Sequence, residues 1–303
     1  AQAGAWQDLD ILSLHYGCPD SPPELNERRL IGVLEHFRGL LQAYGPQDRE
    51  VPLWSTEGGT GDTTWLRGLE IPALPPEHLR VPNSARRGAI RIVQGEALLM
   101  LHGVEKHFYY FHNPVQRGAG AYLNTSMFDI NLAPRPKLMA RVAMSEQLDG
   151  AVCRGDVRKP GSSRFWAVLY EKSTGATTVL WWCGDGGSVA LSPQWPGRVL
   201  ADVDLMGNGR EVATAHTVTW EPSYVTIDAG WREVQKSLEE STLQVIKSAD
   251  ALPEDPAESA DSPGVPLLPD FVGPEENPSG VFFVDLRSVC TMGFADPRPG
   301  DGI

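Results

Sequence analysis

Positive charge is what this 303-residue chain has little of. It holds 26 Lys and Arg against 39 Asp and Glu, a formal net charge of −13. Polyanions are held by Lys/Arg surfaces, so the balance argues against a nucleic-acid or anionic-membrane partner. No apolar run is long enough to span a bilayer. No signal peptide is visible, since the chain opens Ala1-Gln2-Ala3-Gly4 without a Met or a basic segment. That opening is expected to be a processed end or a cut. Cysteine is scarce and scattered: Cys18, Cys153, Cys183 and Cys290 show no C-x-x-C spacing. Neither a zinc site nor a redox motif is supported. Cys153 and Cys183 lie in one β-rich region, but buried free thiols are the expected state.

What is present is an alternation of strands and helices over residues 1–150. Asp10 to Tyr16 reads as a strand. Residues 24–45 carry Leu30, Val33, Leu34, Phe37, Leu40, Leu41 and Tyr44 at helical spacing, and Gly45-Pro46 stops them. Val51 to Glu57 is the next strand, closed by Gly58-Gly59. A Pro-bearing loop leads to Asn83 or Ser84, either of which can cap a helix with Ile90, Val93, Ala97, Leu98 and Leu101 inside. Val104 to His112 is a third strand and Pro136 to Leu148 a third helix. Three β/α units imply a parallel sheet. A closed barrel needs eight units and about 250 residues, so three form a small open sheet or the end of something larger.

Residues 151–248 change character. Phe165–Tyr170, Thr177–Trp182, Val189–Leu191, Glu211–Trp220 and Tyr224–Ile227 are short runs between glycine-rich turns, an antiparallel β-sandwich signature. Trp231 to Ser248 is expected to be helical. Residues 251–280 hold seven Pro and seven Asp/Glu with no Lys or Arg, so 249–279 reads as an acidic linker. Residues 280–303 then begin a further β module that is cut short.

The candidate chemistry sits at the strand ends. Leu14-His15-Tyr16, then Glu57, then Tyr110-Phe111-His112 fall at the carboxyl ends of three successive parallel strands. In parallel α/β folds that rim is where reactions occur. Each residue also has a plainer reading. Glu57 can be a strand-end acid in water, and His15 a core histidine bonded to a carbonyl. Trp54 and Trp65 flank Glu57, and an exposed Trp suits a flat sugar face, though any single Trp is more often core filler. Glu105, His107 and His112 do not make a metal set, because His112 lies at the far end of the strand. Asp202 to Gly209 hints at a calcium loop but fails the pattern at Met206 and Ala213, so a hairpin turn is expected. Gly184 to Gly187 is likewise a turn.

Asp10-x-x-Ser-x-His15-Tyr16, Pro52-Leu-Trp-x-Thr-Glu57-x-Gly59 and Lys106-x-Phe-Tyr-Tyr110 together resemble strands six to eight of clan-A (β/α)8 retaining glycoside hydrolases. The likeness is to family-39-like and family-5-like enzymes and covers about residues 5–230. It includes the helix after strand eight, with Arg135-Pro136-Lys137, and the β-sandwich behind it. The resemblance implies the last three β/α units of a TIM barrel followed by an antiparallel β-sandwich. It implies Glu57 as catalytic nucleophile, and His15, Tyr16, Trp65, Tyr110, Phe111 and His112 around a carbohydrate substrate. No cofactor or metal is implied, and the setting is secreted or periplasmic. The family's Asn-Glu pair at strand four has no counterpart here, and Phe111 or His112 stands where a Trp platform is usual. Retention needs two carboxyl groups about 5–5.5 Å apart. Asp10, Glu24 and Glu27 do not fill the gap. The expectation is therefore a fragment that is inactive and poorly stable alone. The alternative is a non-catalytic carbohydrate-binding or cell-surface protein.

Overall fold

The first half of the chain runs in β/α order because each apolar strand run is followed by an amphipathic helix that covers it. The computed structural model describes residues 4–15, 22–60, 84–110, 126–128 and 133–252. A single turn, α1 (Gly4–Gln7), precedes β1 (Leu12–Leu14). Helix α2 (Pro23–Tyr44) has proline in its first turn, where the missing N–H costs nothing. Its stripe buries Leu25, Leu30 and Leu34 but runs out toward the end, where Tyr44 is 47% exposed. Strand β2 is Leu53–Gly58. Helix α3 (Ala85–Leu101) is capped by Ser84, whose hydroxyl accepts the Arg87 N–H at 3.2 Å. It ends at Gly103, which takes the left-handed φ of +77° that ordinary side chains avoid. Strand β3 is Val104–Tyr109 and helix α4 is Pro136–Leu148.

Strands β1, β2 and β3 pair in parallel in that order. Leu12, Leu14, Leu53 and Val104 form one apolar cluster with Leu30 and Leu34 of α2 and Ile90, Ile92 and Val93 of α3. Within the expected strand Asp10–Tyr16 the regular part is Leu12–Leu14, and within 104–112 it is Val104–Tyr109; residues 16, 111 and 112 lie outside the described residues.

The second half is antiparallel throughout. It comprises β4 (Val152–Lys159), β5 (Phe165–Glu171), β6 (Thr177–Trp182), β7 (Ser188–Leu191), β8 (Val199–Val203), β9 (His216–Thr219), β10 (Ser223–Ile227), α5 (Trp231–Glu240) and β11 (Leu243–Lys247). One sheet has the order β4-β5-β6-β10-β8, the other β11-β7-β9. The central strands β5 and β6 are buried on both faces. Trp166, Val168, Tyr170, Leu180 and Trp182 join the cluster of the parallel sheet. Phe165, Leu169, Val179 and Trp181 instead pack with Val189, Val218 and Leu238, a cluster shared by the two antiparallel sheets and α5. One apolar core thus runs across residue 150.

Two expectations are corrected here. The helix expected over Trp231–Ser248 stops at Glu240, because Val245 and its neighbours pair with β7 instead. Tertiary pairing of a β-branched run overrides weak helical spacing. The strand expected at Glu211–Trp220 begins only at His216. Strand β4 has no apolar periodicity in the sequence, being a polar edge strand broken by Gly155 at φ +136°.

The two described thiols, Cys153 and Cys183, are free. They belong to opposite apolar clusters and so lie on opposite faces of the five-stranded sheet. Burial pushes the Cys183 thiol up to about 12, which keeps it unreactive. The Asp202–Gly209 segment is a turn: Val203 bridges Gly209, and the Asp204 carboxylate accepts the backbone N–H groups of Met206 and Asn208. Residues 254–303, which hold most of the expected linker and the whole β module expected at 280–303, lie outside the described residues.

Candidate functional site

Parallel pairing carries the ends of β1, β2 and β3 to one edge. His15 directly follows β1, Glu57 is the penultimate residue of β2, and Tyr110 directly follows β3. The register between β2 and β3 is interrupted there. Ser55 pairs with His107, and Gly58 pairs with Tyr109, so three steps on β2 match two on β3. The extra residue is a β-bulge, uncommon between parallel strands and a device that re-aims a side chain. Strict alternation would put Glu57 on the buried face that holds Leu53 and Ser55. With the bulge it meets His15, on the face that carries Ser13 and Thr56.

The Glu57 Oε2 lies 3.5 Å from His15 Nδ1, with the two side chains 39% and 70% exposed. His15 is therefore no core histidine. The pair faces solvent at the sheet rim, and a carboxylate there is free to meet a ligand.

The backbone on both sides of Glu57 is held. Before it, the Thr56 hydroxyl donates to the Leu14 carbonyl at 3.4 Å and shares a hydrogen bond with Ser13 at 2.8 Å. After it, the Tyr110 N–H donates to the Gly58 carbonyl at 2.6 Å. The Thr60 N–H donates to the Tyr109 hydroxyl at 3.3 Å, and that hydroxyl donates back to the Thr60 carbonyl at 3.4 Å. The same carbonyl accepts the Lys137 ammonium at 2.9 Å. Thr60 and Lys137 are both fully buried.

Two further layers surround this. On the face of Ser13 and Thr56, the Lys106 ammonium lies 4.3 Å from the centre of the Trp54 ring, and Phe108 packs against the same ring. On the helix face, His107 Nδ1 is 3.0 Å from Ser55 Oγ. Burial, helped by the charge of Arg141, pushes His107 down to about 4, so the ring is neutral near pH 7. Arg135, at the start of α4, is pushed down to about 10 by burial.

Of the expected site residues, Glu57, His15 and Tyr110 are brought to one edge. Tyr16, Trp65, Phe111 and His112 lie outside the described residues. Asp10 pairs with Arg49, and Glu24 and Glu27 pair with Arg164 and Arg158, so all three carboxylates are engaged with arginines. Among the described residues no three His, Cys, Asp or Glu side chains gather as a metal site. The sequence reading missed the roles of Thr56, Thr60, Tyr109 and Lys137. Lys137 stands in the Arg135-Pro136-Lys137 segment that carries part of the resemblance, but a lysine in the first turn of an amphipathic helix ordinarily signals surface, so its burial was not legible.

No family model matches the chain, and no curated protein does either. Solved structures do. One is a family 39 glycoside hydrolase from the gut symbiont Bacteroides cellulosilyticus WH2, at a TM-score of 0.50 and 14% identity, covering 65% of this chain and 38% of that one. The fold is glycoside-hydrolase-like. The catalytic domain of the family 30 xylanase C from Talaromyces cellulolyticus aligns less well, at a TM-score of 0.36 and 11% identity over 59% of this chain and 41% of that one. The chain thus spans well under half the length of the first of these enzymes.

Proposed function

We propose that this chain carries the nucleophile side of a retaining glycoside hydrolase active site, on the last three β/α units of a (β/α)8 barrel backed by a β-sandwich. The observation that supports it is the placement of Glu57. A bulge aims its carboxylate at the rim of a parallel sheet, beside His15, on a backbone anchored fore and aft.

In that reading a Glu57 oxygen attacks the anomeric carbon of a β-linked glycoside. The C–O bond to the leaving group breaks, and the departing oxygen takes a proton from a second carboxyl. A glycosyl ester forms on Glu57, and water then displaces it with that second group acting as base. His15 stands beside the carboxylate, its Nδ1 3.5 Å away, close enough to influence its charge and orientation. The second carboxyl must stand about 5–5.5 Å from Glu57. This reading assigns that second carboxyl to a residue other than Asp10, Glu24 and Glu27, whose carboxylates pair with arginines.

The test is hydrolysis of aryl β-glycosides by the chain and by the full-length gene product. The chain alone is expected to give no sustained turnover. In an active full-length protein, Glu57→Gln lowers kcat on the order of ten-thousand-fold. Unchanged activity in that variant would falsify the nucleophile assignment.

A further inference from the structure

We propose that Lys137 is a positioning residue for Glu57, acting through the backbone of residues 58–60; this rests on the reading of Glu57 as nucleophile. Lys137 is the second residue of α4 and is fully buried. Both circumstances work against its charge. Burial removes the ammonium from water, and the first turn of a helix is the positive end of the helix dipole. If only volume were needed, an apolar side chain would be the less costly occupant.

One contact of the ammonium is specific. It donates to the Thr60 carbonyl, three residues beyond Glu57. A charged donor makes a shorter and stronger bond to a carbonyl than a neutral one. That carbonyl already accepts from Tyr109, whose hydroxyl also takes the Thr60 N–H, so the peptide groups around Thr60 are gripped from β3 and α4 together. The intervening residues are Gly58 and Gly59, which have no side chains to restrict their own dihedrals. Without an external anchor, the segment directly after the carboxylate is the most pliable part of the rim. Lys137 and Tyr109 supply that anchor from two different elements. A nucleophile displaced by even an ångström loses much of its advantage.

Two variants separate this from a plain packing role. Lys137→Met keeps the aliphatic stem and removes the ammonium, and Tyr109→Phe removes one hydroxyl. In the chain itself, amide hydrogen exchange at Thr60 and Tyr110 should rise about tenfold or more in Lys137→Met, with the amides of β5 and β6 unchanged. In the active full-length protein, kcat on aryl β-glycosides should fall about tenfold or more while KM stays within about twofold. Unchanged exchange at Thr60 overturns the proposal, and so does a rise spread equally over β5 and β6. Local loosening with kcat intact would make Lys137 a structural strut only. Glu57→Gln, assayed alongside, isolates the other failure: if that variant stays active the nucleophile reading falls, whatever exchange at Thr60 shows.

Discussion

Arg158 of β4 closes two guanidinium nitrogens on the carboxylate of Glu27 in α2, and His102 reaches the same carboxylate at 3.0 Å from the end of α3. This three-way contact ties the antiparallel sheet to the helices of the parallel one. Arg158 also lies over the Trp166 ring, 4.1 Å from its centre, so the charge and the apolar core meet at one point.

The pH dependence of stability should report that contact. Burial alone would raise the Glu27 pKa, but the hydrogen bonds and charges of His102 and Arg158 outweigh it and hold the carboxyl below its ordinary 4.5. A depressed carboxyl contributes stability that is complete above the unfolded value and lost as pH falls through the folded one. Thermal unfolding of the wild type should therefore steepen its decline below about pH 4.5, and Glu27→Gln should flatten that part of the curve.

His107 acts in a higher window. Its folded pKa of about 4 lies below the ordinary 6.5. The unfolded chain gains a proton there before the folded chain does, so stability is complete above pH 6.5 and drains away as pH falls toward 4. The full loss is at most about 3.5 kcal/mol. Denaturant midpoints between pH 7 and pH 4 should fall, and His107→Gln should remove much of that slope.

Arg91 and Asp185 form a second tie between the halves, buried to 3% and 13% side-chain exposure. Burial lowers the Arg91 pKa, and the Asp185 charge only partly offsets it. Arg91→Met strands the carboxylate, with Arg87 at 3.6 Å as partial relief. The expected cost is about 3 kcal/mol by urea unfolding. Adding Asp185→Asn should restore part of it, and strict additivity of the two changes would show that the pair is not coupled.

His15 should separate activity from stability. Its pairing with Glu57 is exposed, so His15→Ala should change unfolding free energy by no more than about 0.5 kcal/mol. If Glu57 is the nucleophile, the same change should lower kcat roughly tenfold, through loss of the imidazole beside the carboxylate.

The alternation of apolar runs and amphipathic stripes identified the three parallel strands among the described residues and the helices α2, α3 and α4, and Asn83 or Ser84 marked the start of α3. Those features are local, governed by propensity, capping and side-chain periodicity over a few residues. The nomination of Glu57 was also local, as an acid at the end of an apolar run before two glycines. Where Glu57 points was not. Alternation alone assigns it to the buried face, and only the slip of one residue against β3 turns it to His15. Strand β11 reads as helix until β7 is there to pair with it. Lys137 reads as surface until the fold closes α4 over Thr60. Local sequence determined which elements form and which acid stands at a strand end. Tertiary pairing decided which face that acid occupies and what holds it still, because register and burial depend on contacts between segments far apart in the chain.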